Sequence, residues 1–355
     1  MKEDIIWLDY ARVIGIFLVI LGHVEQHFPS FLITDLVLKD VWHIIYLFHM
    51  PLFFIISGYL FSGKKNDRVS FSFIYGNIRM LLVSYLIYQI AYIPLILKSH
   101  SEEICNGAFW VKVLLGIVMG DGYDTPYSIC ICLPCWFIIC IIQLRVLFGL
   151  VTINQFSGII LSLFSIVFLW FRKYFGLDLF FCLDSTVMAI PYFLFGYWLK
   201  SENKSFDKLS YGYSVLSSIA LLAILLLILC YNGPAQMNGP SYGKYVVFCY
   251  LAGIAGSLMV FGVSGLFSRL YMPNKFLKLI SRNTLFIIFF HFVLVKLLNG
   301  LKVYKIINIV SDNWIWTLFW VIVLSVGILF LSYLMIRTFV NKYPIVFGKK
   351  RVLWK

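Results

Sequence analysis

Charged side chains are scarce in this chain, at 13% of 355 residues, whereas hydrophobic residues make up 61%. The mean hydropathy is correspondingly high, at +0.91. A composition this poor in charge excludes a water-soluble globular domain and a disordered chain, because both carry far more polar surface. Aromatic residues are abundant at 19%, as is typical of proteins whose Trp and Tyr side chains lie at membrane interfaces. The composition therefore predicts an integral membrane protein.

Several motifs and segments are also missing. The chain contains no P-loop, no G-x-G-x-x-G and no H-E-x-x-H sequence, which excludes these nucleotide-binding and zinc-protease signatures. It shows no internal repeat and no low-complexity linker, so we expect one integral-membrane domain over residues 1–355. No cleavable signal peptide is expected, because Glu3 and Asp4 precede the first apolar run and no small-residue cleavage site follows it.

The cysteines do not complete a metal site. Cys130, Cys132 and Cys135 lie close together, beside a predicted outer loop that holds Cys105. Zinc needs a fourth ligand, and nothing nearby supplies one convincingly. Packing as small apolar side chains is the favoured interpretation of these cysteines, and an outer disulfide is the alternative. We therefore predict no metal cofactor.

Long apolar segments predict an all-α, polytopic membrane protein with about ten transmembrane helices. The apolar segment 109–120 is too short to cross a bilayer and is expected to be interfacial or re-entrant. Lys and Arg concentrate on the side of the N-terminus, so the positive-inside rule places both termini in the cytoplasm. The net charge of +13 is then a topology signal, and no nucleic-acid partner is expected because no soluble basic domain exists to hold one. The predicted spans are 5–25, 42–61, 78–97, 135–151, 156–171, 185–199, 211–231, 245–266, 283–299 and 314–336.

Arg12 and His23 lie in the first predicted span, and ionisable groups inside a span mark a functional site by default. The two residues are eleven positions apart, which corresponds to roughly 16 Å along a helix and nearly the same helix face. One face therefore carries a fixed cation near one membrane surface and a titratable imidazole towards the other. This spacing suits a long anionic cofactor whose reactive end must reach a general base.

Other polar residues in the first two spans are weaker candidates. Asp9 is three residues before Arg12, so it is expected to pair with the guanidinium as structural support. Glu25 would point away from His23 on a continuous helix, and only a break in the helix would let it orient the imidazole. His49 is a second imidazole at membrane depth. Ser57 precedes Gly58, a pair for which close helix packing is the favoured interpretation and a binding site the alternative.

Together these motifs resemble those of acyltransferase family 3, in particular its fucose-type sugar O-acetyltransferases and enterobacterial-antigen acetyltransferases. The Arg-x10-His and FFxxSG pair in consecutive spans is fairly specific, whereas each motif alone would be weak. Two departures, Tyr-Ala after Asp9 and Cys before Trp136, do not touch the expected chemistry. The resemblance runs from about residue 5 to 300 and rests on Asp9-Tyr-Ala-Arg12 with His23, His49-Met-Pro-Leu-Phe-Phe-x-x-Ser57-Gly58-Tyr59, Leu133-Pro-Cys-Trp136-Phe137, Pro191-Tyr-Phe-Leu-Phe-Gly196-Tyr197, and Ser281-Arg-Asn-Thr-Leu-Phe followed by His291.

The resemblance implies a multi-pass enzyme of the bacterial cytoplasmic membrane that moves an acetyl group from cytoplasmic acetyl-CoA to a hydroxyl of a cell-surface or lipid-linked glycan. CoA phosphates need Arg or Lys at the inner surface, which Arg12 and two further candidates, Arg79 and Arg145, could supply. Arg79 and Arg145 also have a simple interpretation as positive-inside flanks. His23 would be the general base, assisted by His49 and Glu25, and Ser57 a cofactor contact, with Trp136 and His291 as structural support.

Several alternatives stay open at this level. Transfer could be direct or pass through an acetyl-imidazole or acetyl-serine, and the acyl group could be larger than acetyl. The acceptor sugar and the oligomeric state are undetermined, with a homo-oligomer among the alternatives. A transporter or flippase of a lipid-linked sugar also needs ionisable residues in its spans. A third interpretation is a catalytically silent scaffold of a glycan-assembly complex.

Overall fold

The computed structural model describes residues 5–28, 36–61, 71–177, 179–239, 241–310, 313–340 and 342. All regular secondary structure in these ranges is helical, and they contain no β-strand, which confirms the all-α class. The helices in chain order are α1 (Ile6–Glu25), α2 (Leu36–Tyr59), α3 (Phe71–Ser99), α4 (Gly107–Met119), α5 (Cys135–Leu150), α6 (Gln155–Phe175), α7 (Leu183–Ser201), α8 (Tyr211–Asn232), α9 (Val246–Leu270), α10 (Lys275–Ser281), α11 (Thr284–Gly300), α12 (Val303–Val310) and α13 (Trp314–Met335), with a π-helical turn at Ile336–Val340.

Seven of the described helices are long and apolar enough to cross a membrane, and they lie in α1, α2, α3, α6, α8, α9 and α13. An eighth span results if α10 and α11 act together, although the pair is bent by 87° at its break. The predicted span 135–151 forms the 16-residue helix α5, which at about 24 Å is shorter than a typical hydrocarbon core. The protein is thus a polytopic membrane protein. The number of ten spans and the cytoplasmic location of both termini stay predictions.

The described chain divides into two compact units, and the single domain over 1–355 likewise stays a prediction. The first unit consists of the described residues within 1–56, 198–236 and 242–339. Its central helix is α1, which contacts α9, α10, α11 and α13. The buried side chains of α1 surround the helix, as expected for a helix that is apolar on nearly every side.

Small residues allow the helices of the first unit to approach closely. Lipid is as apolar as Leu, so helix association in a membrane depends on van der Waals packing rather than on the hydrophobic effect. Gly256 of α9 shows this directly, because a Cβ atom there would overlap the ring of Phe48 in α2. The glycine therefore sets how closely these two helices can pack.

The second unit consists of the described residues within 57–197, 237–241 and 340–355. A Cβ atom at Gly58 would overlap the carbonyl oxygen of Phe193 in α7, so the close backbone approach expected at Ser57-Gly58 is present. A buried ion pair joins the end of α6 to the start of α7, with 2.6 Å between Arg172 Nε and Asp184 Oδ2. Such a pair fixes the geometry of the turn more than it adds stability, because both charges have been taken out of water.

Candidate active site

Arg12 lies in the first unit, within a small polar cluster formed by the start of α1 and the end of α10. Its Nη1 is 3.4 Å from Asp9 Oδ1 and 3.4 Å from Ser281 Oγ, and the Ser281 hydroxyl also donates to Asp9 Oδ1. The ion pair of Asp9 and Arg12 that their i, i+3 spacing predicts is therefore present. Both bonds of the guanidinium are long for charge-assisted ones. Since 20% of the Arg12 side chain is exposed, its remaining N–H donors can face an anionic ligand.

His23 lies near the other end of α1, between α11 and α2. Its ring centroid is 5.2 Å from that of His291 and 5.5 Å from that of Phe292, which packs edge-on against it. On the α2 side, His23 Nδ1 is 3.5 Å from the hydroxyl oxygen of Tyr46. The α10–α11 pair thus borders both candidate residues of α1, with Ser281 beside Arg12 and His291 beside His23.

Two of the three imidazoles have a tautomer set by the backbone. Nδ1 of His49 is 2.9 Å from the carbonyl oxygen of Ile45, and Nδ1 of His291 is 2.8 Å from that of Ile287. A carbonyl oxygen only accepts hydrogen bonds, so Nδ1 carries the hydrogen in both rings and Nε2 of the neutral ring is an acceptor. Both imidazoles are buried. His291 was predicted from the sequence to be a structural residue. In the structure it is in direct contact with His23.

Tyr46 beside His23 was not predicted from the sequence, and neither were its own neighbours Gln26 and Trp42. Gln26 Nε2 donates to the Tyr46 hydroxyl, and the Trp42 ring stacks on Tyr46 with centroids 3.9 Å apart. The Tyr46 ring also contacts His49 edge-on at 4.5 Å. Trp42, Tyr46 and His49 lie on one face of α2 because of their spacing along the helix, and this pattern was visible in the sequence.

Glu25 is the last residue of α1 and is completely buried. Neither of its carboxylate oxygens has a hydrogen-bond partner in the part of the chain that the structure describes. Glu25 could orient the imidazole only if the helix broke between His23 and Glu25. α1 continues through Glu25, so the helix ends after this residue. Its role beside His23 stays a prediction.

The remaining candidates belong to the second unit. Arg79 is exposed on α3, and Arg145 is half-buried on α5. Ser57 is half-buried beside Gly58, and Trp136 is buried at the start of α5, where its ring packs edge-on against Phe137. Their assignment to cofactor binding or structural support stays a prediction.

None of the eight cysteines, all of which lie in the described ranges, forms a disulfide, and this includes Cys105, Cys130, Cys132 and Cys135. The alternative of an outer disulfide is therefore not found in this structure. Within the described ranges, no group of three or more His, Cys, Asp or Glu side chains could hold a metal ion.

Comparison with known protein families gives a match. A family model for an acyltransferase domain, that of acyltransferase family 3, matches residues 5–337. The match covers both ends of α1 and reaches into the π-helical turn after α13. No curated protein gives a match. No solved structure matches either.

Proposed function

The chain belongs to acyltransferase family 3 and is a membrane acyltransferase, and on that premise we propose that it transfers an acetyl group from acetyl-CoA to a hydroxyl of a cell-surface or lipid-linked glycan. The observation that carries the proposal is the arrangement of Arg12 and His23 on α1, each beside a polar residue of the α10–α11 pair. Roughly 16 Å separates them along the helix axis. We place the enzyme in the bacterial cytoplasmic membrane, with the Arg12 end at the cytoplasmic side.

Arg12 is proposed to bind the phosphates of CoA. Its guanidinium is partly exposed and its two long bonds leave donors free for a phosphate, which favours planar, bidentate partners. Asp9 and Ser281 contact Nη1 of the guanidinium, so the charge need not be ordered when the ligand binds. Arg79, Arg145 and Ser57 stay candidates for further contacts to the donor.

His23 is proposed to be the general base. Acetyl-CoA supplies an acyl group already activated as a thioester. His23 takes the proton of the sugar hydroxyl, the hydroxyl oxygen forms the new C–O bond as the C–S bond breaks, and His23 returns the proton to the departing thiolate. Transfer through an acetyl-imidazole or acetyl-serine is the alternative. Phe292 packs edge-on against the His23 ring, and an apolar neighbour of this kind helps to exclude water from the reacting thioester by either route.

His49 and Tyr46 are proposed to shape the acceptor side of the site. The Tyr46 hydroxyl lies beside His23 Nδ1, and the Tyr46 ring packs edge-on against His49. Aromatic rings with polar edges, such as those of Tyr46 and Trp42, can pack against a sugar while donating a hydrogen bond to it.

A transporter or flippase of a lipid-linked sugar is the second candidate. The observation that favours it is the 87° break between α10 and α11, because discontinuous helices border the binding sites of many transporters. The two functions differ in their ligands. An acyltransferase should bind acetyl-CoA saturably, and a sugar transporter should not.

The proposal can be tested with the purified protein in lipid nanodiscs and with intact cells. We expect saturable binding of acetyl-CoA in vitro. We also expect acetylated surface glycan by mass spectrometry in the wild type, and its loss in both a gene deletion and a His23→Ala strain. Glycan acetylation that persists in a His23→Ala strain would instead support the scaffold interpretation. Absence of acetyl-CoA binding by folded wild-type protein would rule out the proposal.

A further inference from the structure

His291 contains a buried polar atom that no described residue satisfies. The residue is completely buried, and its Nδ1 is bonded to the carbonyl oxygen of Ile287. Its Nε2 has no hydrogen-bond partner among the described residues. Buried acceptors of this kind are rare in native proteins, because leaving them unpaired costs free energy, and each one calls for an explanation.

The His291 ring packs against the polar ring of His23. The two centroids are 5.2 Å apart and the rings are tilted by 39°, so a modest rotation of the His23 ring can bring one of its N–H groups to about 3 Å from His291 Nε2. Nδ1 of His23 already faces the hydroxyl of Tyr46. Nε2 is therefore the His23 nitrogen that is left to donate to His291.

We propose that His291 is a positioning residue that acts through His23, its Nε2 accepting the N–H of His23 Nε2 and so keeping the lone pair of His23 on Nδ1. The inference rests on the proposed acetyl transfer. The Ile287 carbonyl completes the chain, because it holds the hydrogen of His291 on Nδ1 and thereby keeps Nε2 free to accept.

The arrangement assigns a place to each proton. The O–H bond of the acceptor breaks and its proton goes to His23 Nδ1, on the side where Tyr46 lies. His23 then carries a positive charge in an apolar setting, and His291 Nε2 stabilises that charge through the N–H it accepts. The C–O bond forms, the C–S bond breaks, and the proton of Nδ1 passes to the thiolate. His291 gains and loses no proton, so it is not itself the base.

Two substitutions at His291 separate this role from a structural one. In His291→Gln the side-chain oxygen can replace the acceptor at Nε2 but the donor to Ile287 is lost. In His291→Asn the amide can replace the Nδ1 donor but the Nε2 acceptor is lost. We expect His291→Asn to lower kcat at least about tenfold relative to His291→Gln, with the affinity for acetyl-CoA unchanged in both. If His291→Asn instead keeps wild-type kcat, the lone pair is not used and the inference is wrong.

A double-mutant cycle with His23 provides the second readout. If His291 acts only through His23, His291→Asn should have no further effect on the residual rate of His23→Ala. Ser325→Ala is a matched control for the loss of a buried polar group, because Ser325 is also completely buried and bonded to a carbonyl of its own helix, that of Val321. Additive effects of His23 and His291 would overturn the inference. A wild type that transfers no acetyl group would refute the proposed function itself, which is a different result.

Discussion

Removing the guanidinium of Arg12 should weaken the binding of the donor more than it slows the chemistry. Arg12 is far along α1 from His23, so Arg12→Ala leaves the imidazole and its neighbours His291 and Tyr46 in place. One lost charge-assisted contact corresponds to about 1.5–3 kcal/mol, which is roughly a 10- to 150-fold increase in Kd for acetyl-CoA. At saturating donor, kcat should change little, since Arg12 is not placed at the reacting atoms.

A folding effect must be separated from this binding effect. Arg12→Ala leaves Asp9, which is only 6% exposed, with the Ser281 hydroxyl as its remaining partner of the cluster. An unpaired buried carboxylate is destabilising, although the partial exposure of Arg12 reduces the cost. Asp9→Asn combined with Arg12→Ala removes the unpaired charge and keeps an acceptor for Ser281. This double variant should recover thermal stability but not donor affinity.

The assay is titration of acetyl-CoA into each purified variant in nanodiscs, with the Tm of each variant measured in the same preparation. Arg12→Lys, which keeps the charge but not the planar fork, should lie between the wild type and Arg12→Ala. Full recovery of donor affinity in the Asp9→Asn, Arg12→Ala double variant would refute the assignment. Arg12 would then be a structural partner of Asp9 and not a ligand of the donor.

Three further outcomes are expected. His23→Ala should leave the Kd for acetyl-CoA nearly unchanged and lower kcat by roughly 10²–10⁴-fold, because only proton transfer is removed. Gly58→Ala should lower the free energy of unfolding by about 1–3 kcal/mol, because the added Cβ overlaps the carbonyl oxygen of Phe193. Gly327→Ala on α13 has open space around it and should not destabilise the protein. Burial lowers the pKa of His27, in the turn after α1, below 6.5. As the pH decreases, His27 is therefore protonated in the unfolded chain before it is protonated in the folded protein. Tm should fall as the pH decreases below about 6.5, and His27 should not affect Tm at higher pH.

Each of these outcomes has a control or a contrary result. An equal loss of donor affinity in well-folded His23→Ala would contradict the division of roles between the two ends of α1. Equal stability of Gly58→Ala and Gly327→Ala in thermal unfolding would mean that α2 shifts without cost. For the pH effect, His27→Gln should remove part of the slope, and an unchanged slope would assign it to other groups.

The membrane class followed from composition, because a chain with 13% charged residues cannot cover a soluble surface. The all-α class followed from the long apolar segments. The pairing of Asp9 with Arg12 was also predictable, since it needs only the i, i+3 geometry of one helix. The common face of Arg12 and His23 is likewise a property of helical periodicity. The short length of α4 agreed with the expectation that this segment does not cross the membrane.

Contacts between distant parts of the chain could be decided only by the tertiary structure. The sequence predicted one span over 283–299 and contained no sign of the 87° break that precedes it, although this break separates α10, with Ser281, from α11, with His291. Ser281 follows Arg12 by 269 residues, and no local pattern specifies a contact over that distance. Which helices pack together in lipid depends on the shape of their surfaces and on polar groups that need hydrogen-bond partners. Both depend on all the helices at once, which is why the surroundings of His23 appear only when the chain is folded.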